Sequence, residues 1–164
     1  ENLVSVEEEL DNCETYFLIQ KYRFGSRLQL HILYEEESRE SIMNCKIPKL
    51  TLQPILENSI IHGTELKIGT GNLTIQFEQT DKRLIIRISD DGAGMDEQTL
   101  AKLNRQLGRG GRALTDQEEK RGGIALVNVN NRIHLLFGEE YGMHIYSIKG
   151  KGTDVEVTLP VVTA

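Results

Sequence analysis

One alternating run that ends in two acids and two glycines constrains this chain more than any other stretch. Arg83-Leu84-Ile85-Ile86-Arg87-Ile88-Ser89 is rich in β-branched residues and predicts a strand with at least one buried face. It leads directly into Asp90-Asp91-Gly92-Ala93-Gly94-Met95. A strand that stops there carries a carboxylate at its end, and the two glycines let the backbone turn tightly and approach a ligand. Taken alone, Asp-x-Gly-x-Gly fits either a strand-to-helix turn or one wall of a binding site.

The size is that of one domain with an added helix. The chain has 164 residues, of which 38% are hydrophobic and 27% charged, enough for a soluble protein with a buried core. No apolar run is long enough to span a membrane, and no signal-peptide pattern is present. The opening Glu1-Asn2-Leu3-Val4 lacks an initiator Met and reads as the interior of a longer chain. A formal net charge of −6 argues against a nucleic-acid surface. A polyanionic ligand therefore needs a bound cation or a local basic cluster. Cys13 and Cys45 lack metal-ligand spacing and read as two reduced thiols.

In chain order, Ser5-Val6-Glu7-Glu8 is a capping box, and Glu7, Glu8 and Glu9 suit the positive end of a helix. Val6, Leu10, Cys13, Phe17, Gln20 and Phe24 mark its apolar stripe, ending near Gly25. This helix packs on its own domain or on a partner helix. Leu28, Leu30, Ile32 and Tyr34 form the buried face of a strand, with His31 on the solvated face. Glu35-Glu36-Glu37 reads as a solvated turn. Lys49 to Gly63 predicts a helix capped by Thr51, with Pro54 in its first turn and Gly63 closing it. Leu52, Ile55, Leu56, Ser59 and Ile60 form its core stripe. Glu57, Asn58 and His62 share a neighbouring stripe, which is a solvated surface or a place for a metal and a phosphate.

Strands follow at Leu73 to Glu78 and Leu84 to Ile88, then a helix from about Asp96 to Leu107. The glycine-rich stretch from Gly108 to Gly123 gathers positive charge with Arg105, Arg109, Arg112, Lys120 and Arg121. It is either a solvated loop or a lid over phosphates with glycine pivots. Gly123-Ile124-Ala125-Leu126 opens a helix to about Gly138, presenting free N–H groups and a positive dipole end. Met143 to Ile148 and Thr153 to Leu159 read as a closing hairpin. His134 and His144 receive no role.

The ordered set Glu57-Asn58-x-x-x-His62-Gly63, Asp90-x-Gly92-x-Gly94, Gly123-x-Ala125-Leu126 and Gly152-Thr153 resembles the N, G1 and G2 boxes of sensor histidine kinases. Those boxes belong to the ATP-binding domain (HATPase_c) of the GHKL superfamily. Ile47-Pro48-Lys49-Leu50-Thr51-Leu52-Gln53-Pro54 and Leu126-x-Asn128-x-x-x-Arg132 are similar to the LytS and YesM type of bacterial sensor kinase. So is the lead-in of Glu9-Leu10, Tyr16, Ile19-Gln20-Lys21 and Arg23-Phe24. The resemblance implies an α+β fold of the Bergerat type, a two-layer α/β sandwich whose mixed sheet is covered on one face by helices. Residues 1–25 would be a lead-in helix from the acceptor and dimerisation region, and residues 26–164 the ATP-binding catalytic domain.

The implied cofactors are ATP and Mg2+. Asp90 would accept from the adenine amino group, with Thr153 in support and Gly92 and Gly94 giving room at the base. Asn58 would bind Mg2+, and His62 a phosphate. Arg121, Gly122, Gly123, Ile124, Ala125 and Leu126 would surround the phosphates, and Glu57 would assist proton removal from the acceptor histidine. The implied partners are the acceptor-histidine dimerisation domain of the same parent chain and, through it, a response regulator. The parent would be a dimeric membrane sensor with this domain in the cytoplasm.

Two features depart from that pattern. Ala125 stands where the family has a second glycine, which puts phosphate affinity and turnover in question. No histidine lies in the acceptor context of the family, so the resemblance implies a phosphoryl acceptor outside this chain. Competing readings are a GHKL ATPase of another kind and a non-catalytic nucleotide-binding interaction module.

Overall fold

The computed structural model describes residues 2–24, 27–61, 70–108 and 123–163. A short strand β1 (Leu3–Ser5) leads into helix α1 (Val6–Phe24). The serine half of the capping box holds: the N–H of Glu8 donates to Ser5 Oγ at 3.0 Å. Strand β2 (Leu28–Leu33) follows, then a single 3-10 turn (Glu36–Ser38) and helix α2 (Arg39–Asn44), where the sequence had suggested only a solvated turn. Next come β3 (Lys46–Pro48), α3 (Leu52–Ser59), β4 (Gly71–Gln79), β5 (Arg83–Asp90), α4 (Glu97–Gly108), α5 (Gly123–Phe137), β6 (Gly142–Ile148) and β7 (Gly152–Pro160).

The larger sheet has five strands in the order β2-β4-β5-β7-β6. Only β2 and β4 are parallel, so the sheet is mixed. A parallel pair needs a crossover, and residues 34–70 supply one that carries α2, β3 and α3. β1 and β3 form a separate antiparallel ribbon. The long helices lie in contact with one another, α1 on α3, α3 on α5 and α5 on α4, and they cover one face of the sheet.

Period-two alternation decides which face is covered. Leu73, Ile75 and Phe77 of β4, Leu84, Ile86 and Ile88 of β5, and Val155, Val157 and Leu159 of β7 are all buried. They meet Val6, Leu10, Cys13 and Phe17 of α1 and Leu52, Ile55 and Leu56 of α3 in one core. Each such aliphatic side chain contributes about 1.5–3 kcal/mol by leaving water. The predicted stripe of α1 is therefore buried within this chain from Val6 to Phe17, while Leu18, Ile19 and Tyr22 of the same helix remain exposed.

The start of α3 differs from the expectation. Thr51 does not cap it: its hydroxyl donates to Pro48 O at 2.5 Å. Glu9 caps it instead, one Oε accepting from Leu50 N at 3.2 Å and the other from Leu52 N at 2.9 Å. Glu9 is fully buried. Its place in an acidic triplet at the start of α1 suggested a dipole contact with its own helix, whereas the ribbon β1–β3 brings the starts of α1 and α3 side by side.

Candidate functional site

Across the sheet, the residues facing the helices form transverse rows fixed by strand register. One row holds Phe77, Ile86, Val157 and Met143, and the next holds Ile75, Ile88, Val155 and Ile145. The row after that holds Leu73, Asp90, Thr153 and Ser147. Asp90 thus continues the phase of Ile86 and Ile88, and the same alternation that buries the isoleucines buries its carboxylate, leaving it 8% exposed.

Burial pushes the Asp90 carboxyl up to about 6, from an ordinary 3.8. Backbone hydrogen bonds from Gly92 and Thr153 work against that rise, and the nearby Asp91 and Asp154 add to it. The Gly92 N–H donates to Asp90 Oδ1 at 2.9 Å. Asp91 turns the other way. It is held by the Asn72 N–H at 2.8 Å and Asn72 Nδ2 at 2.9 Å. Asn72 Oδ1 in turn lies 3.3 Å from Nε2 of His31, an exposed strand residue as expected, now with a partner.

The turn after Asp90 is locked to the β6–β7 hairpin. Gly94 has φ +70°, and a Cβ there would lie 2.1 Å from Ile148 O. Gly152 has φ +138°, and a Cβ there would lie 2.0 Å from Asp90 O. The Gly150 N–H donates to Ala93 O at 2.6 Å. Only glycine permits both the backbone angles and these approaches.

Ser147, which the sequence reading passed over, joins the pieces. It accepts from Met95 N at 2.8 Å and lies 2.9 Å from Gly152 O and 2.8 Å from Thr153 Oγ1. A serine has one hydrogen to give. Given to Gly152 O, it leaves Thr153 as the donor to Ser147, so the Thr153 oxygen keeps its acceptor capacity beside Asp90. A polar residue in the apolar phase of β6, after Met143 and Ile145, was the available signal.

The second part of the site lies on α3, which packs against β5 and α5. Glu57 and Asn58 are half-buried. Gln53 Nε2 donates to Glu57 Oε1 at 3.1 Å and orients it. The Asn58 side chain has no hydrogen-bond partner among the described residues. No group of three His, Cys, Asp or Glu residues that could hold a metal occurs among the described residues. An amide oxygen beside a carboxylate is a hard, sparse donor set, which fits Mg2+ with its retained waters and not a metal that demands a full protein cage.

The third part is the start of α5. Gly123 opens the helix as expected, Ile124 and Ala125 are half-buried, and Leu126 is buried. The first N–H groups of a helix have no intrahelical partner and can receive an anion. Ala125 lies within the helix, and the only non-glycine residues with positive φ among those described are Asn2 and Leu50. The methyl group of Ala125 therefore meets no backbone strain. His62, Gly63, Arg121 and Gly122 lie outside the described residues, as does the proposed lid from Arg109 onward.

Around the site, Asn130 spans α4 and the sheet edge, donating to Leu107 O at 3.0 Å and accepting from Met143 N at 2.9 Å. Asn104 Nδ2 donates to Ile145 O at 3.1 Å. These amides hold the helix layer to β6 and were not legible as motif residues.

Residues 46–163 match the family described as histidine kinase-, DNA gyrase B-, and HSP90-like ATPase. The chain is 35% identical over 159 residues to sensor histidine kinase YesM of Bacillus subtilis, covering 97% of this chain and 24% of that protein. It is 36% identical over 160 residues to sensor protein LytS of Oceanobacillus iheyensis, covering 98% and 26%. To sensor histidine kinase YpdA of Escherichia coli it is 31% identical over 157 residues, covering 96% and 24%. The chain thus spans about a quarter of the length of the curated relatives it matches.

Proposed function

This chain belongs to the histidine kinase-, DNA gyrase B- and HSP90-like ATPase family, and from that membership we propose that it binds Mg·ATP and passes the γ-phosphoryl group to a histidine elsewhere in a longer sensor kinase. The observation that carries this reading is the row Asp90–Thr153–Ser147, with Asp90 buried and Thr153 and Ser147 half-buried, at the end of an otherwise apolar sheet. A buried carboxylate acceptor selects adenine, whose amino group donates; guanine offers a carbonyl oxygen at that position, so that acceptor faces acceptor.

The division of labour follows the three parts of the site. Asp90, with Gly92, Gly94 and Thr153, takes the base. The start of α5, from Gly123 through Leu126, takes phosphate oxygens on its free N–H groups. Asn58 would hold Mg2+, which when bound offsets charge on the phosphate oxygens. In transfer, an imidazole nitrogen of the acceptor bonds to the γ-phosphorus as the bond from that phosphorus to the ADP oxygen breaks. Glu57 receives the imidazole proton. His62, Arg121 and Gly122 complete the phosphate contacts in this reading.

We assign residues 1–25 as the lead-in from the acceptor and dimerisation region and 26–164 as the catalytic domain. The relatives named sensor histidine kinases support a parent with its own acceptor domain and a response-regulator partner. We further propose that this parent is a dimeric membrane sensor with this domain in the cytoplasm. No helix among the described residues is long and apolar enough to cross a membrane.

The test is calorimetric titration with a non-hydrolysable ATP analogue and Mg2+, with a GTP analogue and Asp90→Asn as controls. Addition of ATP and a separately made acceptor domain follows. Adenine-selective binding and acid-labile phosphohistidine are expected. Binding without any phosphohistidine would turn the assignment to a nucleotide-dependent interaction module.

A further inference from the structure

The turn that launches α3 is held from both sides by residues distant in sequence. Glu9 of α1 takes two of its N–H groups, those of Leu50 and Leu52. Arg132 of α5 takes two of its carbonyls: Nη1 donates to Lys49 O at 2.5 Å, and Nη2 donates to Leu50 O. Leu50, gripped at both its N–H and its C=O, has φ +61°, a region that a leucine rarely adopts. Such a conformation persists only where its surroundings over-determine it. Local capping was open to the sequence, since Thr51 stands at the N-cap, yet its hydroxyl is turned to Pro48 O. α1 uses Ser5 and α4 uses Asp96 in the local way, with bonds of 3.0 and 2.8 Å.

We infer that Glu9 and Arg132 are positioning residues for the metal-binding side of the nucleotide site: through the Lys49–Leu52 turn they fix α3 in the placement that presents Asn58 and Glu57. The inference rests on the Mg·ATP reading above. Asn58 lies less than two turns beyond the clamp on a helix of eight residues, so a shift at the start of α3 is carried to it almost undamped. The base side has no such dependence. Asp90 and Thr153 are fixed by strand register and by the hairpin, and neither bonds to α1 or α5. Loosening the clamp therefore weakens the metal-dependent part of nucleotide affinity and spares the part due to the base.

Displacement of Glu9 has two foreseeable consequences, and one ratio separates them. If Glu9 were only a helix cap, its loss would lower the folded fraction, and affinities with and without metal would fall together. A positioning role changes their ratio. The experiment measures the Kd of a non-hydrolysable ATP analogue in Mg2+ and in EDTA for the wild-type chain, Glu9→Gln and Arg132→Gln, with thermal unfolding recorded for each. Gln in place of Glu9 can accept one N–H and faces the other with its own donor group. The expected result is a ratio of the two affinities that falls about fivefold or more in each variant, with the EDTA affinity changed less than about twofold. Arg132 is not part of the buried core, so Arg132→Gln reports the same ratio should Glu9→Gln fail to fold. A folded variant with an unchanged ratio overturns the inference, as does a wild type that binds the analogue equally well with and without Mg2+. A wild type that binds no adenine nucleotide at all overturns the Mg·ATP reading itself.

Discussion

The two halves of the candidate site are built by different kinds of bond. At the base side, Asp90, Thr153 and Ser147 occupy one transverse row, and the ladder that pairs β5, β7 and β6 fixes their spacing. At the side proposed to hold Mg2+, Glu57 and Asn58 ride on a short helix whose start is tied down by side chains from α1 and α5. A sheet row is set by many cooperative backbone bonds, so one side chain changes it little. A helix start held by two side chains moves when either is altered. The proposed base pocket is thus the rigid half, and the proposed metal side the half open to adjustment from α1.

Breaking the rigid half carries the largest expected effect. Gly152→Ala places a methyl 2.0 Å from Asp90 O at a φ of +138°. It is expected to destabilise the chain by about 3 kcal/mol, read from urea unfolding. A loss under about 1 kcal/mol would show that the hairpin yields and that this half is not the rigid one.

Asp90→Asn comes next, with opposite signs for binding and stability. Removing a charged acceptor weakens adenine-nucleotide binding about ten- to a hundredfold. For stability, the unfolded carboxyl ionises at its ordinary 3.8 and the folded one at about 6. Between those values the folded state keeps a proton that the unfolded state has released. Stability therefore falls as pH rises from about 4 to 6, and Asn removes that loss. The variant is expected to gain about 2–3 kcal/mol at pH 7 and nothing at pH 3. In the wild type, nucleotide affinity falls about tenfold per unit below pH 6, because the neutral acid no longer accepts as a carboxylate. An affinity flat from pH 7 to pH 5 would remove Asp90 from the base contact.

The adjustable half is tested by Asn58→Ala. The expected outcome is loss of most of the Mg2+ enhancement of ATP-analogue binding, with the EDTA affinity within about twofold of wild type. An equal drop in both would place Asn58 on the nucleotide itself. Ser147→Ala has a smaller effect, about 1–2 kcal/mol in stability, since Met95 N–H and the Thr153 hydroxyl lose their partner. The smallest is Leu50→Gly. Glycine adopts φ +61° freely but gives up more unfolded-state entropy, so the net change is within about 1 kcal/mol.

Much of this was legible along the chain because it depends on neighbours in sequence. Alternation announced β4, β5 and β7, and the stripe at Val6, Leu10, Cys13 and Phe17 announced α1. The capping box at Ser5 and the turn at Gly94 follow from local backbone chemistry. α2 and the ribbon β1–β3 went unseen, being three to six residues long with no period to read.

The sequence by itself determined the strand phase that sends Asp90 to the buried side and the order of the three boxes that marks the family. Only the tertiary structure decided which polar residues serve that site from afar. Ser147 acquires its role through the register of β6 on β7, and Asn72 through the turn of Asp91. Glu9 looks like the third of three acids on a helix surface, yet it is buried and caps another helix. Arg132 completes the same turn from the opposite side. Such bonds join residues 41 to 83 positions apart, and a local pattern carries no record of a contact that exists only once the core has brought its two ends together.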